Sequence, residues 1–88
     1  MLHLLVKVQS VSDPRTLATT TGEQSQIVDV TCTCGADTFI ASAFDKMAMQ
    51  VISSKPVAGT LYWVDLSFFL GGRDKNFQNV RIVSMLPF

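Results

Sequence analysis

Length, composition and charge set the first limits on this chain. Its 88 residues suffice for one domain, 1–88, and leave no room for a second hydrophobic core. A hydrophobic fraction of 48% excludes a disordered chain, and no apolar run approaches the roughly 20 residues that a membrane-spanning helix needs. Seven basic residues balance seven acidic ones, so net charge alone would not steer the protein to a nucleic acid.

The first residues of the chain and its two cysteines exclude further classes of protein. Residues 1–6 are apolar but lack a cationic start and a small-residue cleavage site, which predicts a first strand in a cytoplasmic protein instead of a signal peptide. Cys32 and Cys34 stand two residues apart in a strand-like run, so their side chains share one face. With His3 as the single histidine, they cannot complete a zinc site within one chain. A zinc site shared between subunits is the alternative to two small buried side chains. We expect neither a metal nor a cofactor.

A period of two residues, typical of half-buried strands, dominates the first half of the sequence. The first strand starts at Leu2 and carries Leu5 and Val11 on its outer side. Polar residues, threonines and a glycine then predict a long hairpin loop over 12–26. The elements that follow are a second strand over 27–34, a tight turn at Gly35 and Ala36, and a third strand over 37–44.

Apolar residues three and four positions apart predict one helix. This spacing is formed by Phe44, Met47, Ala48, Val51 and Ile52. The helix is expected to end before Ser53. A fourth strand follows over 61–70, then a second hairpin loop over 71–76 and a fifth strand over 77–86.

This order of elements predicts the fold class. Five strands with a helix between the third and the fourth are typical of an all-β protein with one short helix, a five-stranded OB-fold barrel of order β-β-β-α-β-β. An open antiparallel sheet with one covering helix is the alternative. In an OB barrel, the loops between strands one and two and between strands four and five flank the oligonucleotide-binding surface.

Phrases spread over nearly the whole chain resemble bacterial and phage single-stranded DNA-binding proteins. They are Asp13-Pro14-Arg15 with Thr20-Thr21-Gly22, the stretch from Asp37 to Lys46, Gly59 through Leu66, and Asn79 through Val83. Each phrase is degenerate, so their number, order and spacing carry the resemblance. The stretch from Val57 to Val83 is also similar to the dimeric DNA-binding proteins of filamentous phages. Both resemblances imply an OB fold that binds single-stranded DNA.

Two positions depart from the pattern of the first family. Asp45 stands where that family often has a glycine after the phenylalanine of the third strand. Thr38 stands where a stacking tryptophan is common.

The fourth strand supplies aromatic candidates for base stacking. Trp63 and Phe69 alternate with polar residues on one face, where a base or a subunit interface would cover them. The other face is uniformly apolar and is predicted to lie in the core: Tyr62, Val64, Leu66 and Phe68. Phe44 resembles the stacking phenylalanine of the family and also fits the apolar side of the helix. Phe77, beside the second loop, has the same two interpretations.

Cationic candidates for phosphate contacts lie mainly in the predicted loops. Arg15 belongs to the first loop, and Arg73 and Lys75 belong to the second. Further candidates on regular elements are Lys7, Lys46 and Arg81. Solvated surface charge is the alternative for all of them.

The sequence therefore predicts a sequence-tolerant single-stranded DNA-binding protein that acts in replication, recombination or phage genome handling. Its carboxylates are scattered, and no nucleophile has a base partner in a catalytic frame, so we expect neither an enzyme nor a small-molecule substrate. An OB-fold adaptor of a primosome or replisome and an RNA-binding OB module are the alternatives. A homo-oligomer, dimer or tetramer, is expected because so small a barrel is stabilised by burying more surface, including Leu5 and Val11.

Overall fold

The architecture is a small closed barrel with one helix packed against it. A computed structural model describes residues 1–18, 22, 24–70 and 78–88. The elements are β1 (Leu2–Val11), β2 (Arg15–Ala18), β3 (Gln24–Cys34), β4 (Asp37–Phe44), α1 (Lys46–Ser54), β5 (Leu61–Leu70) and β6 (Gln78–Pro87). Five strands form a closed ring in the order β1, β5, β6, β4 and β3, which pairs again with β1. The predicted barrel, with its helix between the third and fourth strands of the ring, is confirmed.

The ring is closed by one parallel contact. β4 and β6 meet at Ser42 and Arg81 and run in the same direction, whereas the other pairs of the ring are antiparallel. Because the ring closes on itself, each of its five strands has a neighbouring strand on both sides, although β4 and β6 meet at a single residue pair. This closing contact joins residues far apart in the sequence and determines the neighbours of Phe44.

The predicted hairpin loop over 12–26 is partly wrong. Arg15–Ala18 form the additional strand β2, which is antiparallel to the first residues of β3, with Arg15 opposite Ile27. β3 is also longer than predicted and starts at Gln24. Its pairing with β1 covers only its second half, and β2 supplies partners for backbone groups that would otherwise have none on that side.

A bulge in β1 corrects the predicted position of Val11. The register between β1 and β3 shifts by one residue between Val8 and Ser10. One extra residue in a strand reverses which side chains point inward. Val11 therefore lies opposite Val30 and packs against the core, not on the outer side.

The core inside the ring consists of small and medium apolar side chains. Alternate residues of the strands point inward as their period predicts, and Leu66 and Ile82 are the largest fully buried side chains. Among the described side chains, no polar or charged one is buried. Cys32 is buried and Cys34 is half-buried, both against this core, as predicted. Burial raises the pKa of the Cys32 thiol to about 11, so this thiol is protonated at neutral pH.

The inward alternation of β5 stops short of its predicted end. Tyr62, Val64 and Leu66 are buried, but Phe68 is 50% exposed, which corrects its predicted core position. Phe68 lies beyond the last packed layer of the barrel and lines a cavity of about 450 Å³ together with Phe39. The described neighbours of Phe68 cover only part of its aromatic side chain.

The helix α1 packs on β3, β4 and β6. Ala48 and Val51 are its buried residues, whereas Ile52 is exposed, so the inward side is narrower than the sequence predicts. Phe44 is not part of the helix but is the last residue of β4. Nothing in the described part of the chain forms a helix long and apolar enough to cross a membrane.

Candidate nucleic-acid interface

The outer side of β3 and β4 forms a continuous strip that we call the β3–β4 face. Its side chains alternate with the buried ones and stand opposite one another in register. They are Asp29, Thr31, Thr33, Thr38, Ile40, Ser42 and Phe44, and Ile27, which stands opposite Phe44, is buried. Ile40 is 60% exposed in the middle of this mostly polar strip. The face therefore combines hydroxyl groups, which bind polar backbone atoms, with an uncovered apolar side chain.

A groove at the end of this face is built around Phe44. It has a volume of about 650 Å³ and lies between the end of β4, the start of α1, and strands β5 and β6. Phe44 is half-buried, and the guanidinium of Arg81 lies over its ring, 5.3 Å from the centroid. Lys46 and Ser67 also line the groove. This Phe44 groove therefore presents an aromatic ring, a guanidinium and an ammonium group together, the combination that holds a base and its phosphate.

Asp45, at the margin of the Phe44 groove, has an unfavourable backbone conformation. Its φ is 50° and its ψ is −115°, although it is not a glycine. Its side chain makes no capping hydrogen bond to the helix, and among the described residues its one hydrogen bond is a long one of 3.4 Å, accepted from the amide of Gln26. Glycine adopts a positive φ without a steric penalty from Cβ, so a glycine at this position would relieve the strain.

Replacing Asp45 with glycine is expected to raise the free energy of unfolding by about 1 kcal/mol, because glycine adopts a positive φ without a steric penalty from Cβ. Urea denaturation followed by circular dichroism measures the change. Asp37→Gly is the matched control: Asp37 is exposed at the start of β4 and is not among the positive-φ residues. Glycine there should lower stability, and a less stable Asp45→Gly protein would contradict the assignment of strain.

Arg15 reaches the β3–β4 face from the neighbouring strand β2. Its guanidinium Nη1 lies 3.0 Å from Oδ2 of Asp29. Ser42 donates a hydrogen bond from Oγ to the other carboxylate oxygen of Asp29, at 2.8 Å. The arginine side chain is largely exposed, and exposed ion pairs contribute only about 0–1 kcal/mol. Arg15 can therefore exchange this pair for a phosphate at little cost.

Of the other cations and aromatic residues predicted to bind DNA, the structure describes only some. Lys7 is exposed on β1 opposite Thr33, at the opposite margin of the β3–β4 face from Arg81. For Phe69 only the backbone is described, in β5. Arg73, Lys75 and Phe77 lie outside the described residues. The binding roles of these residues remain predictions.

Trp63 does not line the Phe44 groove. It lies on the outer side of β5, 37% exposed, with its ring stacked on His3 at a centroid distance of 4.9 Å and an angle of 5°. Phe88 lies tilted against it at 6.2 Å. Hydrogen bonds from Ser84 and His3 hold the pKa of the neighbouring Asp65 below its usual value. Base stacking by Trp63 stays a prediction, and the structure places this ring in a separate cluster.

Sequence reasoning gave Arg81 a secondary place and did not single out Ile40. Ile40 had a local signal, because it is an apolar residue at an outward position of an alternating strand. The contact between Arg81 and Phe44 had no local signal in the sequence, because it depends on the parallel pairing of β4 with β6. That pairing joins strands separated by a helix and another strand.

Comparison with known proteins supports the fold assignment. The second OB-fold domain of replication protein A from Methanococcus maripaludis, solved by NMR in solution, matches with a TM-score of 0.73. The match covers 97% of this chain and 80% of that domain, with 8% sequence identity. No protein-family model matches the sequence, and no curated protein matches it. The chain therefore has the OB fold.

Proposed function

We propose that the protein is a sequence-tolerant, non-catalytic binder of single-stranded DNA that uses the β3–β4 face and the Phe44 groove. The observation that carries this proposal is the contact between Phe44 and Arg81 inside an open groove on an OB barrel. OB folds bind oligonucleotides on this side of the barrel. An aromatic ring with an adjacent guanidinium suits a nucleotide, because the ring stacks on a base while the cation attracts a phosphate.

The chemistry of the face explains how binding tolerates different sequences. Stacking on Phe44 and apolar contact with Ile40 use the surface of a base, which every base has. We assign phosphate contacts, which carry no sequence information, to Arg15, Arg81 and Lys46. The ion pair with Asp29, the contact with Phe44 and the lining of the groove support this assignment. The threonine and serine hydroxyls of the strip can bond to sugars and phosphates. We therefore assign affinity to stacking more than to charge, in agreement with the net charge of zero.

Replication, recombination or phage genome handling is the proposed setting. It is supported by the resemblance of the sequence to bacterial and phage single-stranded DNA-binding proteins. The structural likeness to a replication protein A domain supports it through the fold. Binding of this kind needs no reacting group, so catalysis has no part in the proposal.

Titration of a dye-labelled oligo-dT of about ten nucleotides, within the site size of one OB fold, tests the proposal by fluorescence anisotropy. Saturable binding is expected. Affinity should fall with a salt slope of about 2, since each phosphate contact contributes about 0.7 and Arg15, Lys46 and Arg81 supply the cations. Ile40→Glu should weaken binding at least about tenfold, because it places a negative charge beside the phosphates of the bound DNA.

Leu86→Glu is the matched control, because Leu86 is 64% exposed, close to the 60% of Ile40, but lies outside the β3–β4 face. It should bind the oligonucleotide as the unmodified protein does. Absence of saturable binding to oligo-dT at moderate salt would refute the proposal and favour a protein-interaction adaptor. Tighter binding of an RNA competitor would refute the assignment to DNA.

A further inference from the structure

The Phe44 groove contains two polar residues that contacts with phosphates leave unused. Asp45 and Gln50 line the groove together with Phe44, and both are exposed. The volume of about 650 Å³ lies within the range of roughly 300–1,000 Å³ that is typical of sites for small ligands, so the groove has room for a purine. A base that stacks on Phe44 therefore lies beside a carboxylate and an amide.

The carboxylate of Asp45 contributes little to the fold. It makes no capping hydrogen bond to α1, and no lysine or arginine among the described residues forms an ion pair with it. Its hydrogen bond from the Gln26 amide, at 3.4 Å, is longer than the usual N–H···O distance of roughly 2.7–3.2 Å. The positive φ of Asp45 also destabilises the chain, and residues with a strained backbone are concentrated at functional sites. These observations indicate that the carboxylate serves a ligand.

A carboxylate in a groove that binds DNA favours the part of a nucleotide that donates hydrogen bonds. An ionised carboxylate only accepts hydrogen bonds, and it repels phosphates. Guanine is the one DNA base with two adjacent donors on its Watson–Crick edge, N1–H and the N2 amino group, which match the two oxygens of a carboxylate. Adenine, cytosine and thymine each place an acceptor there. The neighbouring O6 of guanine accepts, and the amide of Gln50 supplies a donor.

We propose that the Phe44 groove prefers guanine. Phe44 stacks on the base, Asp45 accepts hydrogen bonds from N1–H and the N2 amino group, and Gln50 donates to O6. This inference rests on the proposed binding of DNA and names the base that is favoured at one position of the bound strand. The remaining nucleotides lie on the β3–β4 face, where stacking and phosphate contacts tolerate any sequence. Binding therefore accepts all sequences and becomes tighter where a guanine reaches the groove.

Fluorescence anisotropy with dye-labelled oligonucleotides of about ten nucleotides tests the preference. The probes are oligo-dT and three versions in which one central nucleotide is dG, dA or deoxyinosine, and a single guanine avoids quadruplex formation. The dG probe should bind about five- to tenfold more tightly than oligo-dT, the lower range for a base held by paired hydrogen bonds. The dA probe should gain less, through stacking alone. Deoxyinosine lacks the N2 amino group and should lose most of the advantage of dG.

Asp45→Asn separates recognition of the base from the shape of the groove. It keeps the size of the side chain but replaces one accepting oxygen with an amino group, which cannot accept from guanine. The variant should lose most of the preference for dG, whereas its binding to oligo-dT should not weaken, because a negative charge leaves the groove. Asp37→Asn is the matched control: it makes the same change in net charge at the other end of β4 and should keep the preference. Thermal melting checks that both variants fold.

Two results would overturn the preference for guanine while leaving the proposed function intact. One is saturable binding in which the dG probe binds no more tightly than the dA probe, which would assign any difference from oligo-dT to stacking. The other is a folded Asp45→Asn variant that keeps the full preference for dG. Absence of saturable binding to every probe would instead contradict the proposed function itself, so the two failures are distinguishable.

Discussion

Shortening Leu66 to alanine is expected to lower the free energy of unfolding by about 3–5 kcal/mol, the upper part of the range for buried leucines. Leu66 is completely buried in β5 and stands opposite Ile82 of β6. Both neighbouring strands are hydrogen-bonded into the closed ring, so the wall around the cavity has little freedom to collapse. Small domains are stable by only about 5–15 kcal/mol, and the variant should therefore be partly unfolded at moderate temperature.

Urea denaturation followed by circular dichroism measures this loss. Leu86→Ala removes the same atoms from an exposed position and should change stability by less than about 0.5 kcal/mol in the monomer. The comparison is made at a low protein concentration, because dimer formation would add to the stability of the folded state. A Leu66→Ala protein as stable as Leu86→Ala would contradict the packing described for the barrel.

Truncation of Phe44 to alanine is expected to weaken binding to oligo-dT by about 1–3 kcal/mol, the contribution of stacking one base on an aromatic ring. Arg81 also loses the ring beneath its guanidinium, so its position over the groove is less restricted. Phe44→Tyr keeps an aromatic face and should retain most of the affinity. Anisotropy titrations of the three proteins against the same oligonucleotide, with thermal melting as a check on folding, measure these differences.

Phe88→Ala is the matched control for Phe44→Ala. It removes an equally large aromatic ring from an exposed position beside Trp63, outside the β3–β4 face, and the affinity for DNA should stay the same. Normal binding by Phe44→Ala together with a loss of binding by Trp63→Ala would contradict the proposed interface. In that case the base-stacking role that the sequence predicts for Trp63 would be the correct one.

Much of the fold could be predicted from local patterns in the sequence. The period of two residues correctly placed Val6 and Val64 inside the barrel, and spacings of three and four correctly indicated a helix after the third strand. The order of these elements favoured the OB barrel over an open antiparallel sheet with one covering helix, and the closed ring of strands confirms the barrel. The sequence also showed that Asp45 departs from the pattern of the family it resembles, and this position has a strained backbone with a positive φ.

Other features depend on contacts between distant segments. The bulge that turns Val11 inward and the pairing of β2 with β3 follow from the register of whole strands, which a local pattern does not encode. The candidate site has the same origin, since Phe44 and Arg81 are neighbours only because β4 and β6 close the ring.

The sequence by itself determined the five strands of the ring, the helix and most of the inward side chains, because periodicity and turn residues act over a few positions. It did not determine strand β2 or the positions of Val11 and Phe68. Only the tertiary structure decided that Trp63 stacks on His3 and that Phe44 meets Arg81. The physical reason is that the outer side of a barrel has no packing requirement of its own. Which outward residues meet there depends on the register of the strands around the ring, and the interior sets that register through its hydrogen bonds and buried side chains.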